Sequence, residues 1–195
     1  MPKIVDHEER RKNFANAAMR VASKLGMDAL TVRSVAKEAG CSTGALAHYY
    51  KTKDDLLIAI QRAAGDKSTA RIARCFEQYE GRALLEAVVL TVLPLDEERR
   101  GEWRLWLAYF ARAAENVDVA KIQQNNYERW RSDLLRAYEL GCEGEGQTRA
   151  QLERGTDAAM TLIQGLGVLG MFQPAGMDPV AQRRAVRDHF DRWLP

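Results

Sequence analysis

The chain is short of the features that mark most other classes of protein. No stretch of its 195 residues reaches the roughly 18 uninterrupted apolar residues of a membrane-spanning helix. No signal peptide precedes the first helical pattern, so no membrane partner and a cytoplasmic location are expected. Cysteine is scarce: Cys41, Cys75 and Cys142 are odd in number and widely scattered, which fits reduced thiols packed as small residues and argues against a disulfide framework or a metal site. The three histidines, His7, His48 and His189, are dispersed and show no nucleophile or ligand spacing. An enzyme, a metal and a cofactor are therefore not expected. Net charge is only +2, no strand pattern is convincing, and neither an internal repeat nor a low-complexity linker is present.

What remains is helical. Apolar residues make up 46 % of the chain, enough for one sizeable core or a small domain beside a larger one. Phe14, Ala18, Val21, Ala22 and Leu25 recur at helical spacing and stop at Gly26. From Lys53 the pattern Leu56, Leu57, Ile60, Ala64, Ile72, Phe76, Tyr79 runs to Gly81 as a long helix, with a bend expected near Gly65. Segments 83–93, 96–114, 117–140, 148–172 and 178–194 follow. The expectation is an all-α fold of about nine helices, divided functionally into a head, residues 1–52, and a larger part, residues 53–195.

Residues 31–57 carry the most specific signal. Leu30 and Val35 bracket Thr31 at the spacing of a hydrophobic staple around an N-cap, so a helix starts at Val32. Gly40 ends it as a left-handed C-cap. Ser42 caps a second helix two residues later, over 43–49, which leaves room only for a tight turn. Thr52 with Asp55 is a capping box that opens a third. Two short helices at a sharp angle form a helix-turn-helix, the layout that reads DNA in the major groove. Leu46 and Tyr50 face inward, leaving Thr43, Gly44, Ala47, His48 and Tyr49 outward. Gly44 and Ala45 keep the leading end slim for close approach to bases, and Thr43 can reach base edges or a thymine methyl. Lys53, His48, Tyr49 and the Thr31 hydroxyl are natural phosphate donors, and helix N-termini can hold a phosphate. Arg33 and Ser42 complete the expected DNA-binding set. Residues 1–53 hold ten Lys and Arg against five Asp and Glu. Lys3, Arg10, Arg11 and Lys12 are placed to lie along a phosphate backbone.

This segment resembles the DNA-binding domain of the TetR family of bacterial transcriptional regulators. The matching residues are Thr31, Val35-Ala36, Ala39-Gly40, Ser42, Gly44, Leu46, His48-Tyr49-Tyr50, Lys53 and Leu56. Ala47 stands where many members carry Tyr, and Tyr50 where Phe is usual. The run Ser-Thr-Gly-Ala-Leu-Ala-His-Tyr-Tyr is similar to the choline-responsive repressors of betaine synthesis, and the likeness continues over residues 93–110. The resemblance implies a homodimeric repressor on a palindromic operator of double-stranded DNA, released by a small-molecule effector. An effector-independent DNA-binding dimer and a helical protein-interaction adaptor stay open as alternatives.

Two features of the second half bear on that expectation. Trp103, Trp106, Tyr109 and Phe110 share one helix, either as the wall of an effector pocket or as ordinary core. Aromatic faces attract quaternary ammonium groups, so the resemblance makes choline or a similar cation apt, with Glu102 and Asp157 to balance it. Gly165-Leu-Gly-Val-Leu-Gly170 has the letters of a dinucleotide-binding fingerprint, but helical spacing surrounds it and only 25 residues follow Gly170. Close helix contact is the better reading of these glycines. Ala158, Leu162, Gly165, Leu166 and Leu169, with Val186, Phe190 and Leu194 on the last helix, are the expected dimer surface, as the resemblance implies a four-helix interface.

Overall fold

The structure is a computed structural model describing residues 7–144 and 146–193; Lys3 and Leu194 lie outside the described residues. Among the described residues there are nine α-helices and no strand. They are α1 (His7–Leu25), α2 (Val32–Glu38), α3 (Thr43–Ala47), α4 (Lys53–Gln78), α5 (Gly81–Thr91), α6 (Glu97–Glu115), α7 (Val117–Gly141), α8 (Arg149–Phe172) and α9 (Pro179–Trp193). Gly26, at φ +85°, ends α1. A single 3-10 turn, Met27–Ala29, then carries the chain to the Thr31 cap. That turn was not expected, and Leu25, read as part of the buried stripe, is 68 % exposed because it sits in the last turn beside Gly26.

Later boundaries follow side-chain caps. Asp96 accepts from the Arg99 amide at 2.9 Å to open α6, Thr148 and Gln151 cap each other at the start of α8, and Asp178 accepts from the Ala181 amide at 2.8 Å to open α9. α4 is continuous helix through Gly65 but ends at Gln78, short of Gly81, which takes φ +53° after an extended Glu80. Tyr79 thus falls beyond the helix and is exposed rather than packed.

By compactness the chain groups into two units whose limits fall inside helices. The first unit comprises the chain through Lys67 with Arg104–Val119. Its core joins Phe14, Ala18 and Val21 of α1, Val35 of α2, Leu46 of α3, Leu56 and Ile60 of α4, and Leu105 of α6. The second unit comprises Ser68–Trp103 and the residues from Ala120 onward. Leu85 and Val88 of α5, Leu134 and Tyr138 of α7, Ile163 of α8 and Phe190 of α9 form its core. α4 and α6 therefore each contribute to both cores.

Candidate nucleic-acid interface

Local side-chain chemistry builds the head. Thr31 Oγ1 accepts from the Ser34 amide at 3.1 Å, and Ser34 Oγ accepts from the Thr31 amide at 3.0 Å, a reciprocal cap at the start of α2. Leu30 and Val35, the expected staple, are both buried in the first core. The Thr31 hydroxyl also donates to Ser34 Oγ, so its proton is engaged within the cap rather than held outward for phosphate. Gly40, at φ +67°, turns the chain, and nothing lies near it. Ser42 Oγ accepts from the Ala45 amide at 3.2 Å, and the residue is exposed.

Leu46 is fully buried and Tyr50 nearly so, its hydroxyl donating to the Arg11 carbonyl at 3.2 Å. These two anchors fix which side of α3 is outside. Thr43, Gly44, Ala47 and His48 are exposed, Ala45 half-buried. Tyr49 is half-buried: its ring meets the edge of Phe14, and its hydroxyl is hydrogen-bonded to His7 Nδ1 at 2.7 Å. α3 closes at Ala47, two residues before its expected end.

At the start of α4 the expected box is present. Asp55 Oδ2 accepts from the Thr52 and Lys51 amides, each at 2.9 Å, and Thr52 Oγ1 accepts from the Asp55 amide at 3.0 Å. Those two amides are thereby occupied, while the Lys53 side chain is exposed. Asp54 turns to Arg112, at 2.9 and 2.7 Å, and Asn116; the guanidinium holds its carboxyl below the usual carboxylate range. Arg20 pairs with Glu38 and Lys12 with Glu8. Arg33, Lys37, Lys51 and Lys53 are exposed and form no ion pair among the described residues, so this face is rich in positive charge. Lys37 and Lys51 were passed over in sequence; their signal was adjacency to the two helix breaks.

The N-terminal segment over residues 15–60 matches the family described as bacterial regulatory proteins, tetR family, and residues 81–195 match the BetI-type transcriptional repressor C-terminal domain. The HTH-type transcriptional regulator PksA of Bacillus subtilis (strain 168) is 31 % identical, the match covering 98 % of this chain and 93 % of the relative. The chain belongs to the TetR family. It is a transcriptional regulator, not an enzyme. Among solved structures, a transcriptional regulator from Rhodococcus sp. Rha1 superposes with TM-score 0.80 at 28 % identity, over 94 % of this chain and 95 % of that one. A regulator from Saccharomonospora viridis solved in complex with choline gives TM-score 0.79 at 22 % identity, over 94 % and 96 %.

In this TetR-family chain the four aromatics of α6 divide between the units. Trp103 belongs to the second, is 4 % exposed, and donates its indole N–H to the Val92 carbonyl at 2.8 Å. Tyr109, in the first, is buried and donates to the Val119 carbonyl at 3.1 Å. Trp106 and Phe110 are half-buried, with ring centroids 6.0 Å apart. Both carboxylates considered for balancing a cation are already held. Arg71 grips Glu102 at 2.9 and 2.6 Å, and Arg131 grips Asp157 at 2.6 and 3.1 Å.

The glycine triplet lies inside α8. A Cβ at Gly167 would stand 1.9 Å from the Trp103 ring, and one at Gly170 would meet Gln182, so these two glycines serve contacts within the chain; Gly165 alone faces open space. Leu166, Val186 and Phe190 correct the expected dimer surface: all three are buried in the second core, because α9 turns its apolar stripe onto α5 and α8. Gly165, Leu169 and Phe172 are exposed on α8, in line at spacings of three and four with Ala158 and Leu162, which are half-buried, Leu162 against the second core; Val168 lies beside them and Val180 is exposed on α9.

Proposed function

We propose that this regulator is a homodimeric repressor that binds a palindromic operator in the cytoplasm and is released by a small-molecule effector. The observation that carries the reading is the outward face of the head, slim at Gly44 and Ala47, polar at Thr43 and His48, and edged by unpaired Arg33, Lys37, Lys51 and Lys53. Such a helix end fits the major groove, where Thr43 reads base edges while Ser42 and Lys53 hold phosphates. The apolar strip of α8 supplies the two-fold contact that sets two recognition helices on half-sites about 34 Å apart. α4, which contributes to both cores, carries a change in the second unit to the head, and an effector acts by preferring one arrangement by a few kcal/mol.

Trp106 and Phe110 are the α6 aromatics with ring surface left to meet an effector. The choline of the Saccharomonospora regulator is not carried over, since Glu102 and Asp157 are already neutralised by arginines. The filled surroundings of Trp103 and Tyr109 favour a second reading, a DNA-binding dimer that needs no effector. A metabolite panel that stabilises nothing supports it over the first.

Operator selection from random duplexes tests the core of the proposal. Thr43→Val changes base preference at defined positions of the selected site. Lys53→Ala weakens binding to all sequences alike and reduces the salt slope by about one. Failure to select any site, or identical effects of both variants on every duplex, removes the assigned roles.

A further inference from the structure

The second unit contains a cleft of about 460 Å³ lined by the C-terminal half of α4 and by α5, with Arg99 of α6 and Arg183 of α9 also facing it. Its volume is that of small-molecule sites, roughly 300–1,000 Å³. The lining divides by chemistry. Ala83, Ala87 and Leu90 present an apolar wall, whereas Arg71, Arg74, Arg99 and Arg183 bring four guanidiniums against one carboxylate, Glu86. Glu86 is itself held by Arg82 at 3.0 Å. Arg71 and Arg99 are engaged by Glu102 and Asp96, which fixes them in place. Arg74 and Arg183 are exposed and form no ion pair among the described residues. The cleft thus holds surplus positive charge beside an apolar surface, and the planar guanidinium fork matches carboxylate and phosphate oxygens.

We infer that this cleft binds a small organic anion, a carboxylate or phosphate monoester with an aliphatic chain, its head held by Arg74 and Arg183 and its chain laid on Ala83, Ala87 and Leu90. The ligand is opposite in charge to a quaternary ammonium compound. The consequence for operator release rests on the effector reading above; occupancy of the cleft does not.

Calorimetric titration of the full chain with octanoate, octyl phosphate, octyltrimethylammonium and octanol at low salt tests the assignment. The expected result is saturable binding of an anion alone, weakening as salt is raised. Arg74→Gln with Arg183→Gln lowers that affinity by about tenfold or more while leaving thermal unfolding unchanged, because neither side chain holds a partner in the fold. Ala83→Trp, which fills the apolar wall, lowers it without altering charge. Equal binding of the cation or the alcohol, no saturable binding at all, or anion binding indifferent to both sets of replacements overturns the inference. Operator release is read separately. Anion binding in the cleft with the operator retained upholds the site and removes its regulatory role. Operator release by another compound, with neither anion bound, overturns the site and leaves the effector reading standing.

Discussion

The outward face of the head and the helix contacts of the second unit use basic residues in different ways. On the outward face of the head, Arg33, Lys37, Lys51 and Lys53 form no ion pair among the described residues, and the nearby acids are engaged elsewhere, Asp54 with Arg112 and Asp55 with backbone amides. In the second unit Arg71, Arg82, Arg99, Arg131 and Arg149 are each held by Asp or Glu, tying helices to one another or bracing a single turn. Positive charge on the outward face of the head is left without ion pairs, whereas these five arginines of the second unit are spent on internal contacts. Arg74 and Arg183, like Arg154, Arg184 and Arg187, form no ion pair among the described residues, and these first two line the cleft.

Breaking one of the internal pairs should produce the largest effect. Arg71→Met strands the Glu102 carboxylate, which is 6 % exposed, and should cost roughly 3 kcal/mol in urea unfolding. Adding Glu102→Leu should recover most of that loss. A loss within experimental error would mean that water reaches the carboxylate and that the pair does not hold the unit together.

Glycines in the two units sharpen the same contrast. A methyl group at Gly167 meets three atoms of the Trp103 ring within 2.5 Å, so Gly167→Ala should cost about 2–3 kcal/mol and alter tryptophan fluorescence. Gly44 has nothing within 4 Å. Gly44→Ala should leave unfolding within about 0.5 kcal/mol of the parent and show itself only as weaker operator binding. If Gly44→Ala instead destabilised the chain and left operator binding intact, that glycine would be structural and the groove-facing assignment would fail.

This contrast also explains what could be read in the sequence. The head is written in short-range grammar: Thr31, Ser42, Gly40 and the Thr52–Asp55 pair each act within a few residues. Ser34 is less legible because a capping box is recognised by a carboxyl or amide side chain at its place, as Asp55 supplies after Thr52. In the second half, periodicity located the helices but not which face meets which neighbour. Leu166 and Leu169 share a helix and a residue type, yet one is core and the other exposed. Trp103 and Trp106 are three residues apart and lie in different units. The arginine cleft was invisible because its residues come from four helices and span positions 71 to 183.

Gly165 tests the outward strip of α8. Alanine there gains about 1 kcal/mol of helix propensity and meets no atom of its own chain. If the strip is the two-fold contact, the added methyl group should shift the sedimentation equilibrium toward monomer even as the helix becomes intrinsically more favourable. A dimer that is unchanged or tighter removes Gly165 from the interface.

The smallest effect expected is at the ion pair of the first unit, Asp54 with Arg112, which is more exposed than Arg71–Glu102. The guanidinium lowers the Asp54 pKa in the folded state, so the pair contributes stability above the unfolded carboxyl value, about pH 4, and loses it as acid carries the solution through the folded value. Asp54→Asn should therefore lower the melting temperature slightly at neutral pH, and the loss should shrink as acid carries the solution below the folded-state value and protonates the native carboxyl as well. The difference between the two melting curves should close as pH falls, and salt should narrow it at neutral pH. A gap that persists unchanged into acid would mean that Asp54 acts through packing or its bond to Asn116 rather than through charge.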